Sequence, residues 1–354
     1  MNTNQNDKER TAEGYDIPAV EAWIAANSEY LTPPFTWVRL EGGHSNLTYR
    51  LEDKTGKQAV IRRPPTGELL PKAHDMNREW SLIAGLSPTG FPVPEPIGFC
   101  EDLLVTGALF YVMGFSRGRP LFNNEDTLAW VSVDQRATLA YSFIDTLADL
   151  HVLDPDSVGL GSLGKKEDYI GRQIKAWYRS WESSIEFAQL DDPRAHEFKA
   201  FFLANQPAQV TASVVHGDYY LHNCLFSEAS KVSAVLDWEL ATLGDPLADL
   251  GYTLRAWPEI DDDPFLEPTA PTAVSGLPLR GELAQRYSER TGFPVDLLDY
   301  YVGFNHWKTA AILHGVYARY LAGQKSSEGV DLEALKDGIL KGLAGTERAI
   351  LRLQ

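Results

Sequence analysis

The residues best suited to chemistry lie in one stretch, between positions 214 and 239. His216-Gly217-Asp218 follows two valines, and Asn223 comes five positions after the aspartate. Asp237-Trp238-Glu239 then follows a short apolar segment. Phosphoryl transfer needs a carboxylate that accepts the proton of the acceptor hydroxyl and oxygen ligands that hold Mg²⁺ against nucleotide phosphates. On this interpretation Asp218 is the catalytic base, and Asn223 and Asp237 hold the metal ions.

A plainer interpretation of the same residues is available. Asp218 and Asn223 would make hydrogen bonds within a turn, and His216 would pack in the core. Taken alone, the spacing favours this plainer interpretation. The position of Asp237 at the end of an apolar strand favours the catalytic interpretation instead, because functional groups often lie on a loop that directly follows a strand.

A helix is predicted directly after this stretch. Asp245 is its N-cap, and Pro246 occupies the first turn, where a missing N–H costs nothing. Asp249 lies inside the helix among apolar residues. Since a buried carboxylate needs partners, we expect Asp249 to hold the backbone of the loop that carries Asp218.

Composition and charge exclude several classes of function. The 354 residues are 44% hydrophobic and 23% charged, which is typical of a globular protein with room for two lobes. A net charge of −17 argues against nucleic acid and, less strongly, against anionic lipid surfaces, but it would suit a cationic substrate. Cys100 and Cys224 have no metal-ligand spacing. The polar N-terminus lacks the apolar core of a secretory signal, so a soluble, cytoplasmic protein is expected.

The pattern of apolar residues divides the chain into a strand-rich part and a helical part. Strands are predicted within 35–63, a helix over 74–86 and two more strands over 97–115, where the apolar run from Leu103 to Phe115 indicates strand, turn, strand. Helices are predicted over 135–151 and 166–188, and a proline-rich loop or lid over 257–279. We therefore expect an N-terminal nucleotide-binding lobe, 1–115, and a C-terminal catalytic and acceptor-binding lobe, 116–354.

Seven segments carry a family resemblance, in chain order: GGHSNLTYRL, VIRRPPTGELLPKAHDMNREW, FYVMGFSRGRPL, LADLHVLD, HGDYYLHN, LDWELATLGDPLADLGY and KTAAILHGVYARYLAGQ. They resemble the motifs of the aminoglycoside phosphotransferase family. The similarity is greatest to the branch whose domains occur alone in bacteria or fused to acyl-CoA dehydrogenases. It implies an α+β, two-lobed, protein-kinase-like fold whose N-lobe is an antiparallel sheet with one main helix. It also implies ATP and Mg²⁺ as cofactors and a small-molecule alcohol as acceptor.

The resemblance also assigns residues to the nucleotide. Arg62 lies where kinases place their phosphate-contacting lysine, and Glu79 is expected to be its ion-pair partner rather than part of a solvated helix face. Met113 and Gly114 are expected at the hinge that binds adenine. Four residues of the segment between two early strands, otherwise interpreted as an ordinary hairpin turn, would approach phosphates through backbone N–H groups. These are Gly42, Gly43, Ser45 and Asn46.

Two positions depart from the family pattern and leave the acceptor open. Tyr220 and His222 stand where relatives commonly have Arg and a small or acidic residue, and they are candidates for the acceptor side. The dehydrogenase-associated branch implies a 4-hydroxyacyl-CoA as acceptor, and the family name implies an aminoglycoside. A choline- or sugar-like alcohol, or a non-catalytic pseudokinase, also remains open. A protein kinase is disfavoured, because DWE replaces DFG and no A-P-E element follows. The oligomeric state is not indicated.

Overall fold

The chain divides into two units. The computed structural model describes residues 11–40, 46–67, 75–259, 268–325 and 329–354. The first unit comprises Met1–Gly118 and Ser233–Glu239, and the second comprises Arg119–Val232 and Leu240–Gln354.

The segment Ser233–Glu239 belongs to the first unit, whereas the sequence analysis assigned it to the C-terminal lobe. The N–H of Val235 donates to the carbonyl oxygen of Pro92 (2.7 Å), and the rings of Trp238 and Phe91 lie 6.0 Å apart. These contacts place Asp237 in the first unit, although it is far in sequence from the other residues of that unit. The boundary also falls after Gly118 rather than after residue 115.

The first unit is built on an antiparallel sheet. Within the described residues the strand order is β1-β2-β3-β5-β4, and every neighbouring pair is antiparallel. A helix follows β3, as the sequence predicts. The elements are α1 (Ile17–Asn27), β1 (Thr36–Arg39), β2 (Leu47–Glu52), β3 (Gln58–Arg63), α2 (Met76–Leu86), β4 (Pro96–Cys100), α3 (Leu103–Thr106) and β5 (Phe110–Gly114).

The short helix α3 corrects the prediction of strand, turn, strand from Leu103 onward. The side chain of Asp102 accepts a hydrogen bond from the N–H of Leu104 (2.9 Å), which caps a single helical turn. Gly107 then ends the turn in the left-handed region, with φ of 79°. Local capping therefore outweighs the β propensity of this apolar run.

Alternation along β3 sends its two arginines to opposite faces of the sheet. Ala59 and Ile61 are fully buried in the core on the side of α1. Arg63, on that same face, donates to the carbonyl oxygens of Gly14 and Thr106. Arg62 therefore faces the other way and pairs across the sheet with Tyr111 of β5.

The second unit is mainly helical. Its central helix α10 packs against α6, α8 and α11. The strands β6 and β9 pair antiparallel beside the loop that carries Asp218. The elements are α4 (Asn124–Trp130), α5 (Val133–His151), α6 (Tyr169–Ala188), α7 (Pro193–Ala204), β6 (Ser213–Val215), β7 (Cys224–Phe226), β8 (Val232–Val235, which begins here and continues into the first unit), β9 (Thr242–Gly244), α8 (Pro246–Leu254), α9 (Arg280–Thr291), α10 (Leu298–Leu321) and α11 (Leu332–Arg352).

The described part of the proline-rich segment 257–279 is anchored to this unit. The indole N–H of Trp257 donates to the carbonyl oxygen of Pro278 (3.0 Å), and Thr127 donates to that of Pro271 (2.8 Å). Residues 260–267 lie outside the described residues, so the lid stays a prediction. No helix in the described ranges is both long and apolar enough to cross a membrane.

Candidate active site

A tight turn after β6 carries Asp218. Gly217 has φ of 82°, in the left-handed region that glycine adopts without strain. A β-carbon at this position would lie 2.9 Å from the carbonyl oxygen of Leu240. The amide of Asn223 closes the loop: its Nδ2 donates to the main-chain oxygen of Asp218 (2.9 Å) and to Oδ2 of the same residue (3.0 Å). Asp218 and Asn223 are thus brought together as predicted.

Asp249 holds the backbone of this loop, which confirms the expectation from its position in an apolar helix. Its carboxylate accepts the N–H of His216 (2.6 Å) and that of Gly217 (2.9 Å). His151 lies 3.4 Å from the same carboxylate and makes a 2.7 Å hydrogen bond with the hydroxyl of Tyr287. Although burial opposes it, these neighbours keep the pKa of Asp249 below its ordinary value.

The carboxylate of Asp218 is ionised at neutral pH. The hydroxyl of Tyr252 donates to Oδ1, and Nε2 of His222 lies 3.8 Å from Oδ2. Burial alone would raise the pKa of Asp218, but His222 and Tyr252 lower it to about 2. The side chain is 26% exposed, so an acceptor hydroxyl can approach it. A partly exposed carboxylate with this low pKa suits a group that orients the acceptor hydroxyl and accepts its proton late in the transfer step.

A second charged cluster lies in the first unit, around Arg62. Nε of Arg62 is 3.1 Å from Glu79, and Nη2 is 3.1 Å from Asp237. The Tyr111 hydroxyl donates to Glu79 (2.9 Å), as does the Asn46 amide at a longer 3.4 Å. The predicted ion pair between Arg62 and Glu79 is confirmed, and Glu79 is buried rather than solvated.

Arg62 stays cationic in this cluster. Burial alone would lower the pKa of Arg62, but Tyr111, Glu79 and Asp237 together hold it above its ordinary value. Asp237 has φ of 64°, which is uncommon for a residue other than glycine and is typical of functional sites. Its side chain is 38% exposed.

The remaining predicted nucleotide residues are only partly described. Met113 and Gly114 end strand β5, where the N–H of Gly114 donates to the carbonyl oxygen of Glu95 (2.8 Å). Gly42, Gly43 and Ser45 lie outside the described residues. The adenine and phosphate roles of these positions stay predictions.

Comparison with known proteins agrees with this geometry. The sequence profile of the APH family, described as a phosphotransferase enzyme family, matches residues 36–275. The chain belongs to that family. It is 35% identical to mouse acyl-CoA dehydrogenase family member 10 over 84% of its length, and 34% identical to rat family member 11 over 89%. It spans only 28% and 41%, respectively, of those two relatives.

A solved structure extends the agreement to the whole fold. A candidate aminoglycoside phosphotransferase from Ralstonia eutropha JMP134 is 30% identical, with a TM-score of 0.81, covering 95% of this chain and 98% of that one. The α+β, kinase-like phosphotransferase fold expected from the sequence is therefore confirmed, and the chain is a phosphotransferase of the APH family.

Each unit contains a side-chain oxygen of the kind that Mg²⁺ prefers. No group of three or more His, Cys, Asp or Glu in the described part of the chain could hold a metal. Mg²⁺ in phosphotransferase sites takes only one or two protein oxygens and completes its shell with water and phosphate oxygens. Asn223 donates through Nδ2 in both of its side-chain hydrogen bonds to Asp218, so its amide oxygen is the atom suited to a cation. The partly exposed carboxylate of Asp237 is the second suitable oxygen donor.

Three residues near Asp218 were not singled out by sequence reasoning: Tyr252, Arg255 and Lys308. The guanidinium carbon of Arg255 lies 3.8 Å from the ring centroid of Tyr252, and Nζ of Lys308 lies 5.5 Å from the same centroid. Tyr252 lies three positions after Asp249, on the next turn of α8, and this spacing is a local signal in the sequence that could have indicated it. Lys308 is too far along the chain for spacing to reveal it.

Asp245 gives this unit a measurable dependence on pH. It caps α8 and accepts hydrogen bonds from Leu247 N–H (3.1 Å) and the Tyr301 hydroxyl (2.9 Å). Burial raises its pKa from 3.8 to about 6, although both bonds oppose the shift. The folded protein therefore binds this proton more tightly than the unfolded chain, and the resulting stability is lost as pH rises through about 6.

We expect Asp245→Asn to remove this dependence. Between about pH 5 and pH 8, the free energy of unfolding should fall by roughly 1–2 kcal/mol more in the native protein than in the variant. Denaturant titrations at both pH values measure this. Asp331→Asn is the matched control, since it removes an exposed N-cap bonded to Ala334. Parallel profiles for the native protein and Asp245→Asn would show that this carboxyl does not titrate in the range.

Proposed function

We propose that the chain transfers the γ-phosphoryl group of ATP to the hydroxyl of a 4-hydroxyacyl-CoA. The observation that carries the transfer chemistry is the held carboxylate of Asp218. Asn223 bonds to one of its oxygens, and Asp249 fixes the backbone on its N-terminal side. A carboxylate fixed in this way can orient a nucleophile without reorganising during the reaction.

The step balances with the groups that the chain supplies. Asp218 accepts a hydrogen bond from the acceptor hydroxyl, and that oxygen forms a new bond to the γ-phosphorus of ATP. The bond between this phosphorus and the bridging oxygen breaks, and its electron pair leaves with ADP. The hydroxyl proton passes to Asp218 and then to water. Because the transition state is loose, most of the catalysis is positioning and charge stabilisation.

Charged groups of the chain would hold the nucleotide. Arg62 keeps its cation beside Asp237 and is suited to a phosphate, while Glu79 and Tyr111 fix its direction. Asn223 and Asp237 are the residues that would hold Mg²⁺, which supplies neutralisation of the phosphate charge. Met113 and Gly114 would bind adenine, and Tyr220 and His222 would face the acceptor.

The names of the relatives support the acceptor. They are acyl-CoA dehydrogenase family members, and their remaining length leaves room for further domains. A hydroxyl is a poor leaving group, and phosphorylation makes it a good one. An acyl-CoA enzyme joined to a phosphotransferase can therefore use a hydroxyacyl-CoA that has first been phosphorylated.

An aminoglycoside is the second candidate acceptor. The net charge of −17 favours it, because it would attract a polycation. The pseudokinase alternative is disfavoured, since Asp218, Asn223 and Asp237 are all present.

A panel of acceptors tests the proposal. Release of ADP from Mg-ATP is measured with a 4-hydroxyacyl-CoA, kanamycin and choline, at matched concentrations. The proposal expects turnover with the thioester and little with the two cationic alcohols. Preference for kanamycin would replace the acceptor but keep the transfer. Stabilisation by ATP without turnover of any alcohol would favour the pseudokinase.

A further inference from the structure

Two cations lie beside the carboxylate of Asp218, although the protein as a whole is strongly acidic. Arg255 and Lys308 both approach the ring of Tyr252, at 3.8 and 5.5 Å, and the hydroxyl of this tyrosine donates to Asp218. Arg255 also lies 5.8 Å from the ring centroid of Tyr220. Both cations therefore lie against the tyrosine that bonds to Asp218.

In the described part of the chain, Lys308 has no carboxylate partner of its own. Among the residues that the structure describes, its ammonium group makes no ion pair and donates no hydrogen bond. Burial lowers the pKa of Lys308, the carboxylates of Asp249 and Asp218 oppose the shift, and the charge of Arg255 adds to it. Two like charges held close together are unfavourable. An electron-rich oxygen bound beside them would relieve that repulsion and satisfy the donors of Lys308.

An aromatic surface formed by Phe122, His222 and Tyr220 also lies near this carboxylate, since Nε2 of His222 is 3.8 Å from Oδ2 of Asp218. The ring of His222 stacks on Phe122, with centroids 6.2 Å apart and planes at 12°, and lies 5.3 Å from the ring of Tyr220. Phe122 is 61% exposed. Such a surface suits an apolar chain. The cationic and aromatic groups together therefore match an acceptor that combines a hydrocarbon chain with an electron-rich oxygen.

We infer that Arg255 and Lys308 bind the acyl oxygen of the acceptor, next to the hydroxyl that Asp218 addresses. This inference rests on the proposed function and identifies the part of the acceptor that is recognised. The oxygen belongs to a thioester carbonyl or to a free carboxylate, and both attract cationic donors. An acceptor with an ammonium group near its hydroxyl would meet two like charges, so this geometry selects against aminoglycosides and choline.

Four acceptors separate the alternatives. 4-Hydroxypentanoyl-CoA and free 4-hydroxypentanoate distinguish the two sources of the acyl oxygen. 1,4-Pentanediol has a similar hydroxyl but no acyl oxygen, and kanamycin represents the cationic alcohols. Lys308→Met removes the charge and keeps the length of the side chain, whereas Lys308→Arg keeps the charge. Arg319→Met is the matched control, because Arg319 is exposed on the same helix, α10.

Lys308→Met should lower kcat/KM for the preferred acyl acceptor by roughly 10- to 100-fold, the loss expected for one charge-assisted hydrogen bond. The kcat/KM of Lys308→Met for the diol should stay within about twofold of the native value. Lys308→Arg should recover part of the loss with the acyl acceptor. Equal losses with the acyl acceptor and the diol would overturn the inference. So would a rise in KM for ATP alone, which would assign the cations to the nucleotide, or a native preference for kanamycin.

A binding measurement keeps this test independent of turnover. Pentanoyl-CoA has the acyl oxygen but no hydroxyl, and CoA itself has neither. By calorimetry, Lys308→Met should raise the Kd of pentanoyl-CoA by about tenfold or more and leave that of CoA unchanged. If no alcohol is phosphorylated but this difference is found, the proposed transfer fails while the acyl site stands. An unchanged Kd for pentanoyl-CoA overturns the acyl site whatever the activity.

Discussion

Asp218→Asn is expected to lower kcat by roughly 10²–10⁴-fold, the range for loss of a general base. The substitution keeps the size of the side chain and removes its ability to take a proton. Its neighbours Asn223 and Tyr252 can still bond to it, so the loop should keep its shape. The measurement is steady-state ADP release with a saturating acceptor.

The affinity for ATP distinguishes a chemical defect from a structural one. If Asp218 acts only on the acceptor hydroxyl, the variant should bind ATP with a Kd within about twofold of the native value, since the lost interaction belongs to the transition state. Asp191→Asn removes an exposed carboxylate of the same unit and should leave both quantities unchanged. A variant of Asp218 that keeps more than about a tenth of the native kcat would contradict the assignment of a base.

Arg62→Ala is expected to lower the free energy of unfolding of the first unit by about 3–5 kcal/mol, because it leaves the buried carboxyl of Glu79 without its cation. The same variant should lose affinity for ATP, since Arg62 is the proposed phosphate ligand. Denaturant titration measures the stability, and calorimetry measures the affinity.

Two further variants separate charge from packing in this cluster. Arg62→Ala combined with Glu79→Gln should regain part of the lost stability but none of the ATP affinity, because it neutralises the buried carboxyl without restoring a cation. Arg39→Ala removes an ion pair whose partners are 38% and 62% exposed, so it should cost roughly 0–1 kcal/mol. A loss for Arg62→Ala as small as for Arg39→Ala would show that the pair does not act as a buried one.

Local rules predicted much of the candidate site. Asp249 was identifiable because a carboxylate inside an apolar helix must find donors, and the backbone of His216 and Gly217 supplies them. The opposite directions of Arg62 and Arg63 follow from the alternation of a strand. The ion pair of Arg62 with Glu79 was expected from the family resemblance, and the structure confirms it.

Tertiary packing set what the sequence did not reveal. Lys308 and Arg255 lie near Asp218 because α8 and α10 pack together, which no local spacing encodes. Gly251 allows these two helices to approach closely, because a β-carbon at this position of α8 would lie 2.6 Å from the β-carbon of Tyr301 on α10. Asp237 belongs to the first unit for a similar reason, since its neighbours Val235 and Trp238 contact distant residues there.

The most direct test of the account follows the phosphoryl group itself. ATP labelled with ¹⁸O on the γ-phosphate is incubated with Mg²⁺, the protein and 4-hydroxypentanoyl-CoA, and the products are analysed by mass spectrometry. A labelled phosphate ester is expected on the acyl chain in amounts equal to the ADP formed, and at least about a hundredfold less of it should form with Asp218→Asn in the same time. Label found only in inorganic phosphate, or no ADP at all, would contradict the account.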